Sequence, residues 1–213
     1  MAPHRSFRVL ATLGALGLAP ALVACNTVAG LGTDLSTAGR AIVESSDRAR
    51  RGGAASQEAA QQDHATPEEV IQKVRQAARD IAQHGEAGLA TYRTKDATSV
   101  WKDSYVTAVS CEGGTAVGAA HPVRPELEGK PVAQSLTFGP RPGEQIGADF
   151  CAAGRQPHGG WVEYDFPKPG GTQPGRKVSY CLAAPGTPYV VVAGLYDPTA
   201  KVEDLDRLAD SQP

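Results

Sequence analysis

Glu163 and Asp165 stand two residues apart in the run Trp161-Val162-Glu163-Tyr164-Asp165-Phe166. On a strand this spacing puts two carboxylates on one face, the arrangement that general acid–base chemistry would use. Their neighbours argue otherwise. Val162, Tyr164 and Phe166 alternate with them, so the two carboxylates mark a solvated edge face. The histidines at 64, 84, 121 and 158 are scattered. A metal site drawn from Cys111, His121, Cys151, His158 and Cys181 matches no zinc spacing. His121, just before Pro122, is expected to hydrogen-bond at a strand end. There is no P-loop, HExxH, GxSxG elbow or dinucleotide fingerprint in the sequence. The pattern therefore predicts no enzyme, no cofactor and no metal. A formal net charge of −2 at pH 7 offers no basic footprint for nucleic acid.

The elements around these residues are strands. Trp161 to Phe166 ends at Pro167 and a Gly/Pro-rich loop; Lys177 to Leu182 is turned by Pro185-Gly186; Tyr189 to Tyr196 is apolar almost throughout. β-branched and aromatic residues bounded by Pro and Gly are the strand signature. An unbroken apolar strand implies burial on both faces, so Tyr189 to Leu195 is expected inside the sheet. Upstream, Tyr105 to Glu112 and Thr115 to His121 form a hairpin around Gly113-Gly114. Before it, Thr66-Pro67-Glu68-Glu69 supplies an N-cap, a proline at the first helical position and a capping-box glutamate. Val70, Ile71, Val74, Ala78, Ile81 and Ala82 then share one face of a helix of about five turns. Residues 125–157 are Gly/Pro-rich and are expected to cover the other face of the sheet with loops and short helices. At about 135 residues, positions 66–200 suffice for one domain with its own core.

These ordered pieces resemble the single-module Cache family of extracytoplasmic sensor domains. The resemblance rests on Ala120-His121-Pro122, Pro125-Glu126-Leu127 with Gly129-Lys130, Gly160-Trp161-Val162-Glu163-Tyr164, Lys177-Val178-Ser179-Tyr180 and Gly194-Leu195-Tyr196. It implies a PAS-like α/β (α+β) domain in which a long N-terminal helix packs on a five-stranded antiparallel sheet of order 2-1-5-4-3. It also implies a pocket between sheet and covering loops for a small polar ligand, a carboxylate or an amino acid. An anion needs a cation and hydrogen-bond donors in a partly dry site. On the matching motifs these would be Lys177 and Tyr180, with Trp161, Tyr164, Tyr105 and His121 as wall or donors. Lys177 and Tyr180 have opposite strand parity, so both reach one pocket only through a bulge or at a strand end.

The N-terminus carries an address. His4, Arg5 and Arg8 precede an apolar run from Val9 to Val23, the plan of a secretory signal too short for a first reading as a membrane span. Leu22-Val23-Ala24-Cys25 resembles a bacterial lipobox, with Cys25 acylated and residues 1–24 removed; several acyl chains anchor stably where one does not. By resemblance to enterobacterial lipoproteins, Asn26 after the cysteine, in place of Asp, implies the periplasmic face of the outer membrane. Residues 25–43 resemble entericidin-like small lipoproteins, through Cys25-Asn26-Thr27, the glycines at 30, 32 and 39, Asp34 and Ile42. Residues 44–65, rich in Ser, Ala, Gln and Gly with Arg48, Arg50 and Arg51, read as a flexible linker. Residues 201–213 read as a short acidic tail.

The expected protein is thus a lipid-anchored periplasmic sensor-type module, held to the bilayer through Cys25, that binds a small molecule and acts through an envelope signalling partner. The alternative is an envelope structural or stress lipoprotein using the Cache fold as a docking platform. Lipidation would leave three cysteines in an oxidising compartment. In the implied strand order Cys111 and Cys181 lie two strand spacings apart, about 9.5 Å, beyond the roughly 7 Å Cα reach of a disulfide. Cys151 could reach either. The family resemblance implies Cys111–Cys151, a bridge that would pin the pocket cover to the sheet and leave Cys181 a buried thiol.

Overall fold

The computed structural model describes residues 63–212. The signal segment, Cys25, the entericidin-like stretch and the linker up to residue 62 lie outside the described residues.

Helix α1, Pro67–His84, starts where the capping box places it. The Glu69 amide donates to Thr66 Oγ1 at 3.3 Å, and Glu69 Oε2 accepts from the Thr66 amide at 3.0 Å. Two of the orphan donors at the helix start are thereby satisfied. Val70, Ile71, Val74, Ala77, Ala78 and Ile81 are buried along one side. Gly85 ends the helix at φ 60°, a backbone region in which glycine carries no Cβ penalty. A short helix, α2 (Leu89–Arg93), follows and buries Leu89 and Tyr92.

Six strands form the sheet: β1 Val100–Trp101, β2 Ser104–Ser110, β3 Val117–Ala120, β4 Gly160–Pro167, β5 Pro174–Ala183 and β6 Tyr189–Leu195. Their order is β1-β2-β6-β5-β4, with β3 also paired to β2. All pairings are antiparallel. The five expected strands thus stand in the expected 2-1-5-4-3 order. The difference is the two-residue β1, which folds back on β2 around Lys102-Asp103. β6 sits between β2 and β5, and Val190 to Leu195 are buried throughout, as an apolar strand with two covered faces must be.

Between β3 and β4 the chain forms α3 (Val132–Ser135) and α4 (Gly143–Gly154). Together they cover the sheet face opposite α1. Two hydrophobic clusters result. One joins α1 to Val106, Ala108, Trp161, Val178, Tyr180, Val191 and Ala193; the other joins α4 to Val109, Val162, Tyr164, Phe166, Cys181, Val190 and Val192. A disulfide links Cys111, just past β2, to Cys151 on α4, with Cα atoms 5.8 Å apart, while Cys181 is a buried free thiol.

The residues read as an acidic tail instead form helix α5, Val202–Ser211. Leu205 and Ala209 enter the α1-side cluster. Asp206 accepts the Trp161 amide at 3.0 Å, and Arg75 of α1 donates to the carbonyls of Ala209 (2.9 Å) and Gln212 (3.1 Å). The high charge of this segment hides an amphipathic period, and Arg75 satisfies carbonyls left open at its end. No helix of the described residues is long and apolar enough to cross a membrane.

Candidate ligand-binding site

Strand parity decides which side chains meet. β5 pairs with β4 and β6 without a register shift from Pro174 to Ala183, so alternate residues face opposite sides. Lys177, Ser179 and Cys181 face α4; Val178 and Tyr180 face α1. The same rule sends Tyr164 and Phe166 of β4 to the α4 side and Trp161 to the α1 side.

Two of the expected site residues are therefore misplaced by the sequence reading. Trp161 and Tyr180 lie against each other, ring centroids 5.4 Å apart, inside the cluster under α1. The Tyr180 hydroxyl donates to the His158 carbonyl. Without a bulge in β5, neither ring reaches the opposite face, and both are core residues.

The other four come together on the α4 side. A cavity of about 60 Å³ is lined by Tyr105, Thr107, His121, Phe150, Tyr164, Phe166 and aliphatic neighbours including Val132, Leu136 and Val192. A second, outer compartment of about 460 Å³ shares Tyr105 and Phe166 with it and adds Arg124, Phe138, Lys168 and the loop Pro169–Thr172. Its size falls in the range of small-molecule sites, roughly 300–1,000 Å³. Gly118 belongs to the inner wall because a Cβ there would stand 2.4 Å from the Leu127 carbonyl oxygen. Only a glycine lets the turn at Pro125–Leu127 close down on β3.

Lys177 stands just behind this wall. It is 2 % exposed, and its Nζ lies 4.1 Å from the ring centroid of Tyr105, 5.1 Å from that of Tyr196 and 5.7 Å from that of Phe166. No carboxylate pairs with it and no acceptor hydrogen-bonds it among the described residues. Burial disfavours the ammonium form and pulls the amine from its ordinary 10.5 down to about 7; the nearby Asp103 opposes this.

His121 is 7 % exposed. Its Nδ1 accepts from the amides of Val123 (3.3 Å) and Arg124 (3.0 Å). The neutral ring's proton therefore sits on Nε2, making that atom a donor. Burial, then the charges of Lys177 and Arg124, hold its pKa down to about 3. The Tyr105 ring stacks beside it at 4.9 Å, and Tyr164 hydrogen-bonds Ser179 at 3.0 Å. Burial keeps both phenols protonated by pushing them well above their usual value.

Sequence reasoning did not single out Arg124, Lys168, Phe166 and Tyr196 as site residues. Arg124 sits in the loop just before Pro125, its guanidinium 5.5 Å from the Phe166 ring and 3.0 Å from Glu126. Lys168 follows β4, 5.5 Å from the Tyr196 ring and 3.9 Å from Asp103. A basic residue at each strand exit facing a Gly/Pro loop was the available signal. Glu163, by contrast, pairs with Arg176 at 2.8 Å at the exposed edge, as its alternation implied.

An antiparallel sheet with a helix on one face and, on the other, a cavity under a disulfide-pinned cover is the layout of a PAS-like domain. The chain belongs to the single Cache domain family: the family described as Single Cache domain 2 matches residues 42–206. Cache domains are sensory ligand-binding modules. Three solved structures are similar to this one. One, described as the structural basis for carboxylic acid recognition by a Cache chemosensory domain, is 22 % identical, covers 61 % of this chain and 91 % of its own, and has a TM-score of 0.48. The periplasmic sensor domain of a chemotaxis protein is 23 % identical over 61 % and 92 %, TM-score 0.47. A methyl-accepting chemotaxis protein from Vibrio parahaemolyticus is 20 % identical over 59 % and 74 %, TM-score 0.42. No curated protein matches the chain.

Proposed function

We propose that this protein is a lipid-anchored periplasmic binding module whose cavity takes a small carboxylate or amino-acid-like solute, and which reports its occupancy through an envelope partner. Cys25 carries the anchor. The observation that carries the ligand class is Lys177: a buried cation, held by three aromatic rings and given no anion, beside a cavity with room for one. Burying an unpaired charge is costly, and a carboxylate entering from outside supplies the missing partner. The neutral His121 offers its Nε2 proton, and Arg124 and Lys168 draw anions to the mouth. The inner compartment admits only a few non-hydrogen atoms and is lined mostly by aromatic and aliphatic side chains, which suits a short apolar tail.

A thermal-shift screen of the purified protein against short mono- and dicarboxylates and amino acids tests this reading. Ligand at a hundred times its dissociation constant adds about 2.7 kcal/mol of stability. A flat response across all anions would leave the cavity without its proposed function and favour a docking platform. Changing Cys25 to Ser is expected to release the protein from the membrane fraction; retention after signal removal would refute the anchor.

A further inference from the structure

Lys177 is the one buried lysine among the described residues, and every charged group facing it is either occupied or of the wrong sign. From the β1–β2 turn, Asp103 is the nearest anion in effect, but its oxygens already accept from His64 (2.7 Å) and the Ala65 amide (2.9 Å). From the end of β3 come the neutral His121 and the cation Arg124, whose Glu126 partner lies at 3.0 Å. Beyond β4 lies the cation Lys168. Tyr105, Tyr164 and Tyr196 are protonated phenols, each raised by burial. On β5 itself Arg176 points away to Glu163. Three ring faces attract an ammonium more weakly than a carboxylate does.

We propose that an anionic ligand enters this cavity together with a proton, which the Lys177 amine takes up from solvent as the carboxylate arrives. The inference rests on the carboxylate reading above and adds its regulation. In the empty pocket the amine's lone pair is partly free; the incoming charge favours the ammonium, so RCOO⁻, a solvent proton and the neutral amine become an ion pair with no bond in the ligand changed. The Nζ lies 4.1 Å from the centroid of Tyr105 and 5.7 Å from that of Phe166, the two rings that line both compartments. The site then reads carboxylate and acidity jointly, and the depressed proton affinity of Lys177 sets the working range near neutrality.

Calorimetry of the purified protein with acetate and with propionate, from pH 6 to 9 in phosphate and in Tris, tests this. A site that protonates near pH 7 should bind about tenfold more weakly at pH 8 than at pH 6 and take up about 0.9 proton per carboxylate at pH 8. Lys177→Arg, which keeps charge without titrating, should abolish both the slope and the uptake, and Lys177→Gln should weaken binding and flatten the slope. His121→Asn should leave the slope in place. Acetate binding with no pH dependence and no proton uptake would overturn the coupling while leaving the ligand class standing, as would a slope that survives Lys177→Arg. Absence of carboxylate binding at every pH would remove the ligand class and this inference with it.

Discussion

The two faces of the sheet are built from alternate residues of the same strands, yet they differ in kind. On one side Ile71, Val74 and Ile81 of α1 meet Val106, Val178, Tyr180 and Val191 of the sheet, all fully buried. Under α3 and α4, Lys177, Ser179, His121 and two tyrosines, Tyr105 and Tyr164, are buried among the aliphatics, a cavity remains, and a disulfide pins the cover. One face is an apolar core, and the other, on the function proposed here, keeps polar groups in reserve for a ligand. A buried cation with no anion is a cost to folding that a binding protein recovers on occupancy. The cover of that face is short helices and loops, so it needs a covalent staple where the α1 face needs only apolar area.

Removing the staple should have the largest effect. The bridge closes a loop with a sequence separation of 40, and its loss through paired Cys111→Ala and Cys151→Ala changes costs about 4 kcal/mol on chain-entropy grounds. Denaturant unfolding under non-reducing conditions measures it, and peptide mapping that joined Cys111 to Cys181 would contradict the strand order. On the opposite face, Ile81→Ala leaves a cavity in a fully buried position and is expected to cost about 3 kcal/mol with carboxylate affinity unchanged. A matching loss of affinity would blur the division between the faces.

Lys177→Met should move stability the other way. The folded chain releases this proton near pH 7, whereas an exposed lysine keeps it to 10.5. Between those values the unfolded state binds more protons, so ligand-free stability rises with pH from 7 toward 10. The Met variant lacks the buried charge and is expected to melt higher than the parent at pH 6, by several degrees. The gap should shrink by pH 9, since the parent's amine is by then largely neutral. A gap that widens with pH would refute the depressed proton affinity. The smallest effect is expected at Trp161, whose Nε1 is buried with no hydrogen-bond partner among the described residues. Trp161→Phe removes that orphan along with some apolar area, so stability should change by no more than about 1 kcal/mol. Binding should be indifferent, because the ring faces α1.

The chain's local chemistry determined much of this on its own. The Thr66–Glu69 capping box, the apolar stripe to Ile81 and the uninterrupted Val190–Leu195 run each name their element, because capping, helical period and two-sided burial are written in neighbouring residues. Strand parity alone separated Lys177 from Tyr180. Which of them faced a cavity was a tertiary decision: both β5 faces are buried, and only the different covers, a continuous helix against short helices and loops, leave space on one. Arg124, Lys168 and Tyr196 reach the Lys177 neighbourhood from three separate chain exits, a convergence no local pattern records. Helix α5 was concealed by composition, since its charge is visible in sequence while the groove that buries Leu205 and Ala209 exists only once α1 and β4 are in place.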